Sequence, residues 1–161
     1  MKGIFVNENG CVPYAALIAS GIKTIETRNR NMLSACVGER VAVIRTHRNW
    51  KPLIVGYVTI TGSSYCKAED FDKYYRQHCV SPVSGFAPQN GRGKWFYYCA
   101  DAETCYPKDL PENIVRHGRS WCEWDDDVLD ILRKAEAAEN AMTDEEWNHL
   151  HDGEVHAREL F

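Results

Sequence analysis

Lys23, Glu26 and Arg28 follow a helix-stopping glycine in the segment Gly21-Ile22-Lys23-Thr24-Ile25-Glu26-Thr27-Arg28, so a cation, an anion and a second cation recur at fixed spacing. Along a strand side chains alternate, which puts Glu26 and Arg28 on one face and Ile25 and Thr27 on the other. Lys23 joins the second set unless residues 21–23 form a turn, which the glycine stop favours. Three such groups converging in a concave site can bind a polar planar ligand. Arg28 is then a fork for phosphate or carbonyl oxygens, Lys23 a mobile cation and Glu26 an acceptor for an amino edge. The same spacing also suits a solvated strand edge carrying an i, i+2 ion pair.

The elements that must position these groups are readable around them. Residues 13–20 read as a short helix, with Pro13 in the first turn, Tyr14, Leu17 and Ile18 at i, i+3, i+4, and Gly21 as the stop. Strand composition follows at Ile25 to Arg28, Arg40 to His47, Leu53 to Thr61 and Lys94 to Ala100, with turn signals at Val37-Gly38-Glu39, Trp50-Lys51-Pro52 and Gly91-Arg92-Gly93. Lys67 to His78 is expected to be a helix burying Phe71, Tyr74, Tyr75 and His78. Residues 80–93 hold three Gly and two Pro and read as a long loop of the kind that serves as a lid or binding loop. From Asp125 the pattern turns helical, with Val128, Leu129, Ile131 and Leu132 as its apolar face, and a second helix starts at Thr143, whose spacing to Glu146 fits a capping box. The expected fold class is α+β: a small, mostly antiparallel β-barrel or curled sheet over residues 1–124 with helices at its rim, then an acidic helical extension over 125–161.

Composition narrows the partners. The chain has 161 residues, 44% of them hydrophobic, enough for one well-buried domain. It has no apolar run of the roughly 20 residues needed to span a bilayer, and Met1 to Val6 runs directly into polar Asn7, Glu8 and Asn9, unlike a signal peptide. The expected location is the cytoplasm, with no membrane partner. Residues 1–124 hold 16 Lys+Arg against 11 Asp+Glu, a surplus of 5 positive charges, whereas 125–161 hold 3 against 12, a surplus of 9 negative, giving −4 together. A basic body suits a polyanion or phosphate-bearing ligand, and an acidic tail either solvates the protein or competes for that surface. Seven cysteines without a C-x-x-C pair read as buried free thiols, so no metal and no cofactor is expected.

The string Pro13-Tyr14-Ala15-Ala16-Leu17-Ile18-Ala19-Ser20-Gly21-Ile22-Lys23-Thr24-Ile25-Glu26-Thr27-Arg28 resembles the G-x-K-x-x-E-x-R signature of the ASCH family, a PUA-like β-barrel group, together with the helix before it. With Val41 to Trp50 it is similar to the small ASCH proteins known in animals as endothelial-overexpressed lipopolysaccharide-associated factors. The likeness is specific over residues 1–65 and looser at Gly93 to Tyr98 and Gly118 to Trp124. It implies a barrel with a cleft beside the helix, where Lys23, Glu26 and Arg28 face RNA or a nucleotide-like ligand. One bacterial branch of the family hydrolyses the acetyl amide of N4-acetylcytidine with the signature lysine, a threonine and a distal glutamate. Here Lys23 matches, Glu26 stands where the threonine would be, and Glu69 or Asp70 are candidates for the distal acid. Some relatives are described as ribonucleases, for which His47 with Lys23 or Arg45 offers an acid/base and a phosphate clamp.

Arg45 and His47 alternate with Ile44 and Thr46 and so share a face, which either lines the cleft or is outer surface. His117 lies in a basic loop, Val115-Arg116-His117-Gly118-Arg119, of a type that touches phosphate backbones. Trp50, Trp95, Trp121 and Trp124 are either packed or offered to bases, while His149, His151 and His156 read as exposed helix residues rather than a metal site. The candidate binding set is Tyr14, Lys23, Thr24, Glu26, Arg28, Arg45, His47, Trp50 and His117, with Lys23 and Glu26 catalytic if the protein is an enzyme. Three functions fit: a module that binds RNA or a modified nucleotide, a small amidohydrolase or nuclease, and a protein-interaction scaffold. The charge split adds the expectation that the acidic tail packs across the basic cleft.

Overall fold

A computed structural model of the protein describes residues 1–125 and, beyond them, Leu132, Glu136, Asn140 and Ala141. Seven strands, β1 (Lys2–Asn7), β2 (Ile25–Arg28), β3 (Arg40–His47), β4 (Trp50–Cys66), β5 (Lys94–Asp109), β6 (Val115–His117) and β7 (Trp121–Glu123), form one sheet in the order β2-β5-β4-β3-β1-β7-β6. β1 and β3 pair in parallel, from Lys2 opposite Val41 to Asn7 opposite Thr46, and the other five pairings are antiparallel. The sheet is thus mixed, as an α+β chain with few helices allows, and β2 and β6 end its pairing order. Closure into the expected barrel is not among the pairings of the described residues.

Helix α1 (Tyr14–Ala19) lies against the sheet with Tyr14, Ala15, Ile18 and Ala19 buried. Its approach depends on Gly56 in β4: a Cβ there would meet Glu103 O at 2.3 Å and Ala19 Cβ at 2.6 Å. Glu8 caps the helix from a distance, its Oε1 accepting from the backbone N–H groups of Ala15 (2.9 Å) and Ala16 (3.4 Å). Pro13 therefore serves as the N-cap residue, one place earlier than a first-turn proline.

The sequence reading did not anticipate β1, β6 or β7, and three further segments differ from it. Residues 68–78 are a 3-10 turn (Ala68–Tyr74) followed by a single α-helical turn, α2 (Tyr75–His78), rather than one α-helix. Across these two short turns the i, i+3, i+4, i+7 set does not stay on one buried face: Phe71 and His78 are fully buried while Tyr74 and Tyr75 are 41% and 49% exposed. β4 and β5 run well past their expected ends, to Trp50 and Cys66 and to Asp109, and their pairing continues through three register shifts, between Ile54 and Gly56, Tyr57 and Thr59, and Ile60 and Gly62. Trp50 is consequently a strand residue, and the turn before it is at Arg48 and Asn49.

Among the described residues no helix is long and apolar enough to cross a membrane. All seven cysteines are free, but only Cys36, Cys66 and Cys122 are buried, and Cys11 is exposed because it sits in the loop before α1. The expected helices from Asp125 and Thr143, the tail histidines and the tail's expected packing across the cleft lie outside the described residues, apart from Leu132, Glu136 and Asn140, which are helical.

Candidate functional site

The motif is delivered by a helix end whose geometry needs glycine. Gly21 has φ +79°, a left-handed conformation that costs an L side chain about 1–2 kcal/mol. It allows Gly21 N to donate to Ile18 O and Ile22 N to donate to Leu17 O, the two bonds of a Schellman stop. Lys23 N also donates to Leu17 O at 2.9 Å, which turns the lysine inward before β2 begins. Thr24 then ties the segment to its neighbours through its backbone, donating to Gln77 O (2.9 Å) and accepting from Cys99 N (2.8 Å).

Lys23 is 1% exposed and Glu26 6%. Lys23 Nζ donates to the carbonyl oxygens of Ile25, at 2.8 Å, and His78. It lies 3.9 Å from Glu26 Oε1 and 5.3 Å from the centre of the Tyr14 ring. Burial pushes its pKa below the ordinary lysine value, opposed by the Glu26 carboxylate. Glu26 is held at both oxygens: Oε1 accepts from Thr27 N at 2.7 Å, and Oε2 is 3.5 Å from Arg28 Nη2, which also donates to Phe5 O at 2.6 Å. On β5, Lys94 is 6% exposed and donates to Asn29 Oδ1. Burial lowers its pKa as well, again against the pull of Glu26.

These groups open onto a cleft of about 470 Å³, within the range of small-molecule sites. Its apolar walls include Phe5, Tyr14, Met32, Val80 and Phe86, with Phe86 edge-on to Tyr14 at 5.7 Å. Among the described residues five cations, Lys23, Arg28, Lys94, Arg116 and Arg119, line it around a single carboxylate, Glu26. A concave surface with that imbalance favours an anionic or oxygen-rich ligand, and the aromatic corner of Tyr14 and Phe86 offers stacking area.

Of the sequence-predicted residues, Tyr14, Lys23, Glu26 and Arg28 line the cleft; Thr24, Arg45, His47, Trp50 and His117 do not. Arg45, His47 and Trp50 meet instead at the β3–β4 hairpin end. There His47 stacks on Trp50 at 4.0 Å, and the Arg45 guanidinium lies 5.8 Å from the same ring. His47 is therefore not positioned with Lys23 as a nuclease pair. His117 stacks on Trp121 at 3.9 Å and pairs with Glu123 at 3.0 Å, while its neighbours Arg116 and Arg119 turn to the cleft. Glu69 and Asp70, the distal-acid candidates, do not line it, and Asp70 pairs with Lys73 at 2.6 Å. Trp124 is buried, Trp95 and Trp121 half-buried, and only Trp50 of the four is exposed.

The polar and aromatic cleft-lining residues that the sequence reading left out of its site include Asn29, Lys94, Phe86, Arg116 and Arg119. The loop of Phe86 and the basic stretch of the two arginines were visible signals. Nothing local marks Lys94, which reaches the motif only because β5 pairs with β2, Trp95 opposite Arg28.

No protein-family model and no curated relative matches the chain. Solved structures do. The ASCH protein of Zymomonas mobilis superposes with a TM-score of 0.61 at 18% identity, over 82% of this chain and 94% of that one. Two mutant forms of the same protein give TM-scores of 0.60 and 0.61 at 17% identity, each over 83% of this chain and 95% or 98% of theirs. At these identities the likeness is one of fold: the chain has the ASCH-domain fold.

Proposed function

We propose that the protein is a PUA-like module that binds RNA, or a modified nucleotide within it, through the Lys23/Glu26/Arg28 cleft. The observation that carries this reading is the five-to-one excess of cations over carboxylates, among the described residues, in a cleft of nucleotide size with an aromatic wall. One base enters beside Tyr14 and Phe86, with its polar edge toward Glu26 and Arg28, and the phosphate meets Arg116 and Arg119 at the rim. The ASCH fold supports the reading by analogy with RNA-related domains.

A hydrolase using Lys23 and Glu26 is the second reading, favoured by the burial that lowers the Lys23 pKa toward a working range. It is the weaker one because Glu26 is the one carboxylate lining the cleft among the described residues, so the distal acid of the amidohydrolase scheme lacks a counterpart. One experiment separates the two: total RNA and free N4-acetylcytidine are incubated with the protein and with Lys23→Ala, followed by mass spectrometry of products and recovery of retained RNA. The binding reading expects retained, unaltered RNA and weaker retention by Lys23→Ala. A Lys23-dependent product would replace it with the enzyme, and neither retention nor product with the wild type would remove both.

A further inference from the structure

The motif lysine is poorly placed to meet a ligand. An ammonium has three N–H groups, and Lys23 directs two to the carbonyls of Ile25 and His78 while Glu26 Oε1 lies 3.9 Å away. Its own surface is 1% exposed. Lys94 lines the same cleft and is less deeply buried, at 6% exposure, and among the described residues its ammonium has one acceptor, Asn29 Oδ1. Two of its N–H groups are therefore available to something that enters.

What enters opposite Lys94 is limited by Glu26, the carboxylate that lines the same cleft. A phosphate placed there would be repelled by the carboxylate, and the cleft already offers Arg116 and Arg119 for phosphate. A neutral edge with an N–H beside a carbonyl satisfies both groups: the carboxylate accepts the N–H and the ammonium donates to the oxygen. Uracil and guanine present that edge, and adenine has no carbonyl.

Resting on the nucleotide-binding reading above, we propose that Lys94 is the cleft amine that contacts the ligand, donating to a carbonyl oxygen of a base whose adjacent N–H is accepted by Glu26. Lys23 is then a positioning residue, holding Glu26 and the α1–β2 turn in place.

The test measures calorimetric binding of UMP, uridine and AMP to the wild type, Lys94→Met, Lys94→Gln and Lys23→Met, together with thermal melting of each protein without ligand. The wild type is expected to prefer UMP to AMP. Losing a charge-assisted bond should weaken Lys94→Met toward both UMP and uridine by about 10- to 100-fold, and Lys94→Gln, a neutral donor, should be intermediate. Lys23→Met should melt well below the wild type, since two buried carbonyls lose their donor, whereas Lys94→Met should melt close to it. Unchanged UMP affinity in both Lys94 variants would overturn the contact, and a loss confined to UMP would make it a phosphate contact and overturn the carbonyl assignment. A Lys23→Met protein that melts like the wild type would overturn the positioning role whether or not any ligand binds. Failure of the wild type to bind any of the three would count against the nucleotide-binding reading itself, and against the ligand half of this inference with it.

Discussion

Replacing Gly56 by alanine should lift α1 off the sheet, and the cost can be worked from two distances. The added Cβ would stand 2.3 Å from Glu103 O and 2.6 Å from Ala19 Cβ, where contacts under 3.0 Å essentially never occur. Neither neighbour is the end of a flexible side chain: one is the backbone of β5 and the other the first side-chain atom of a residue on the buried face of α1. Overpacking of this kind costs about 1–3 kcal/mol, and two rigid clashes place Gly56→Ala at the upper end. At about 2–4 °C per kcal/mol for a chain of this size, the melting temperature should fall by roughly 6–12 °C. Because α1 carries Tyr14 and ends in the motif turn, ligand affinity measured well below the melting point should also drop. Melting followed by circular dichroism, with Ala19→Gly/Gly56→Ala as a partner variant, tests the geometry. Removing the Ala19 methyl relieves one clash and leaves the carbonyl, so recovery should be partial. A Gly56→Ala protein within about 1 °C of the wild type, less than the shift expected for 1 kcal/mol, would refute the close seating of α1 on β4.

Other consequences are as definite. Burial holds the His78 pKa below its ordinary value of 6.5, and the neutral ring is the one that fits, with Nδ1 accepting from Val80 N (2.9 Å) and Nε2–H donating to Phe71 O (2.8 Å). A depressed folded-state pKa gives stability that is fully present above 6.5 and lost as pH falls below it. Melting temperature should therefore decline from pH 7 to pH 5, with a shallower decline in His78→Gln; equal slopes would remove His78 from the account. Arg116→Ala and Arg119→Ala should each weaken RNA binding and make its log–log salt slope less negative by about 0.7, one single-strand phosphate contact each. Filter binding across a salt series would reveal an unchanged slope if they touch no phosphate. Under native conditions Cys11 should react first with a thiol reagent, while Cys99, pushed up to about 12, and Cys36 and Cys122, pushed up to about 11, should be protected. Peptide mapping that found one of those three labelled before Cys11 would contradict the packing described.

What was legible in the sequence was local. The Gly21 stop, the inward turn of Lys23 and the shared face of Glu26 and Arg28 depend on backbone conformations within eight residues, and residue type sets those. The parallel pairing of β1 with β3 was not legible, because its partners lie about 40 positions apart and the strands' own composition does not rank pairings. The 68–78 segment was misread for a different reason: Phe71 and His78 are buried, but Phe71 lies in a 3-10 turn and His78 in the α-helical turn after it, and apolar spacing alone does not distinguish that from one α-helix. The site divided along the same line. Tyr14, Lys23, Glu26 and Arg28 come from one continuous stretch and meet in one cleft, whereas Lys94, Arg116 and Arg119 reach it only through sheet pairing. Conversely Arg45 and His47 share a strand face as read, but they meet Trp50 of the neighbouring strand at a hairpin end instead of the cleft.

The most direct test of the central claim, that the cleft holds a nucleotide, is amide chemical-shift mapping by NMR as UMP or a short single-stranded RNA is titrated in. Shifts concentrated at residues 23–29, at Lys94 and Phe86, and at residues 116–120 are the expected result. Shifts confined to the hairpin at residues 45–50, or scattered in proportion to surface charge, would contradict it and move the binding surface elsewhere on the protein.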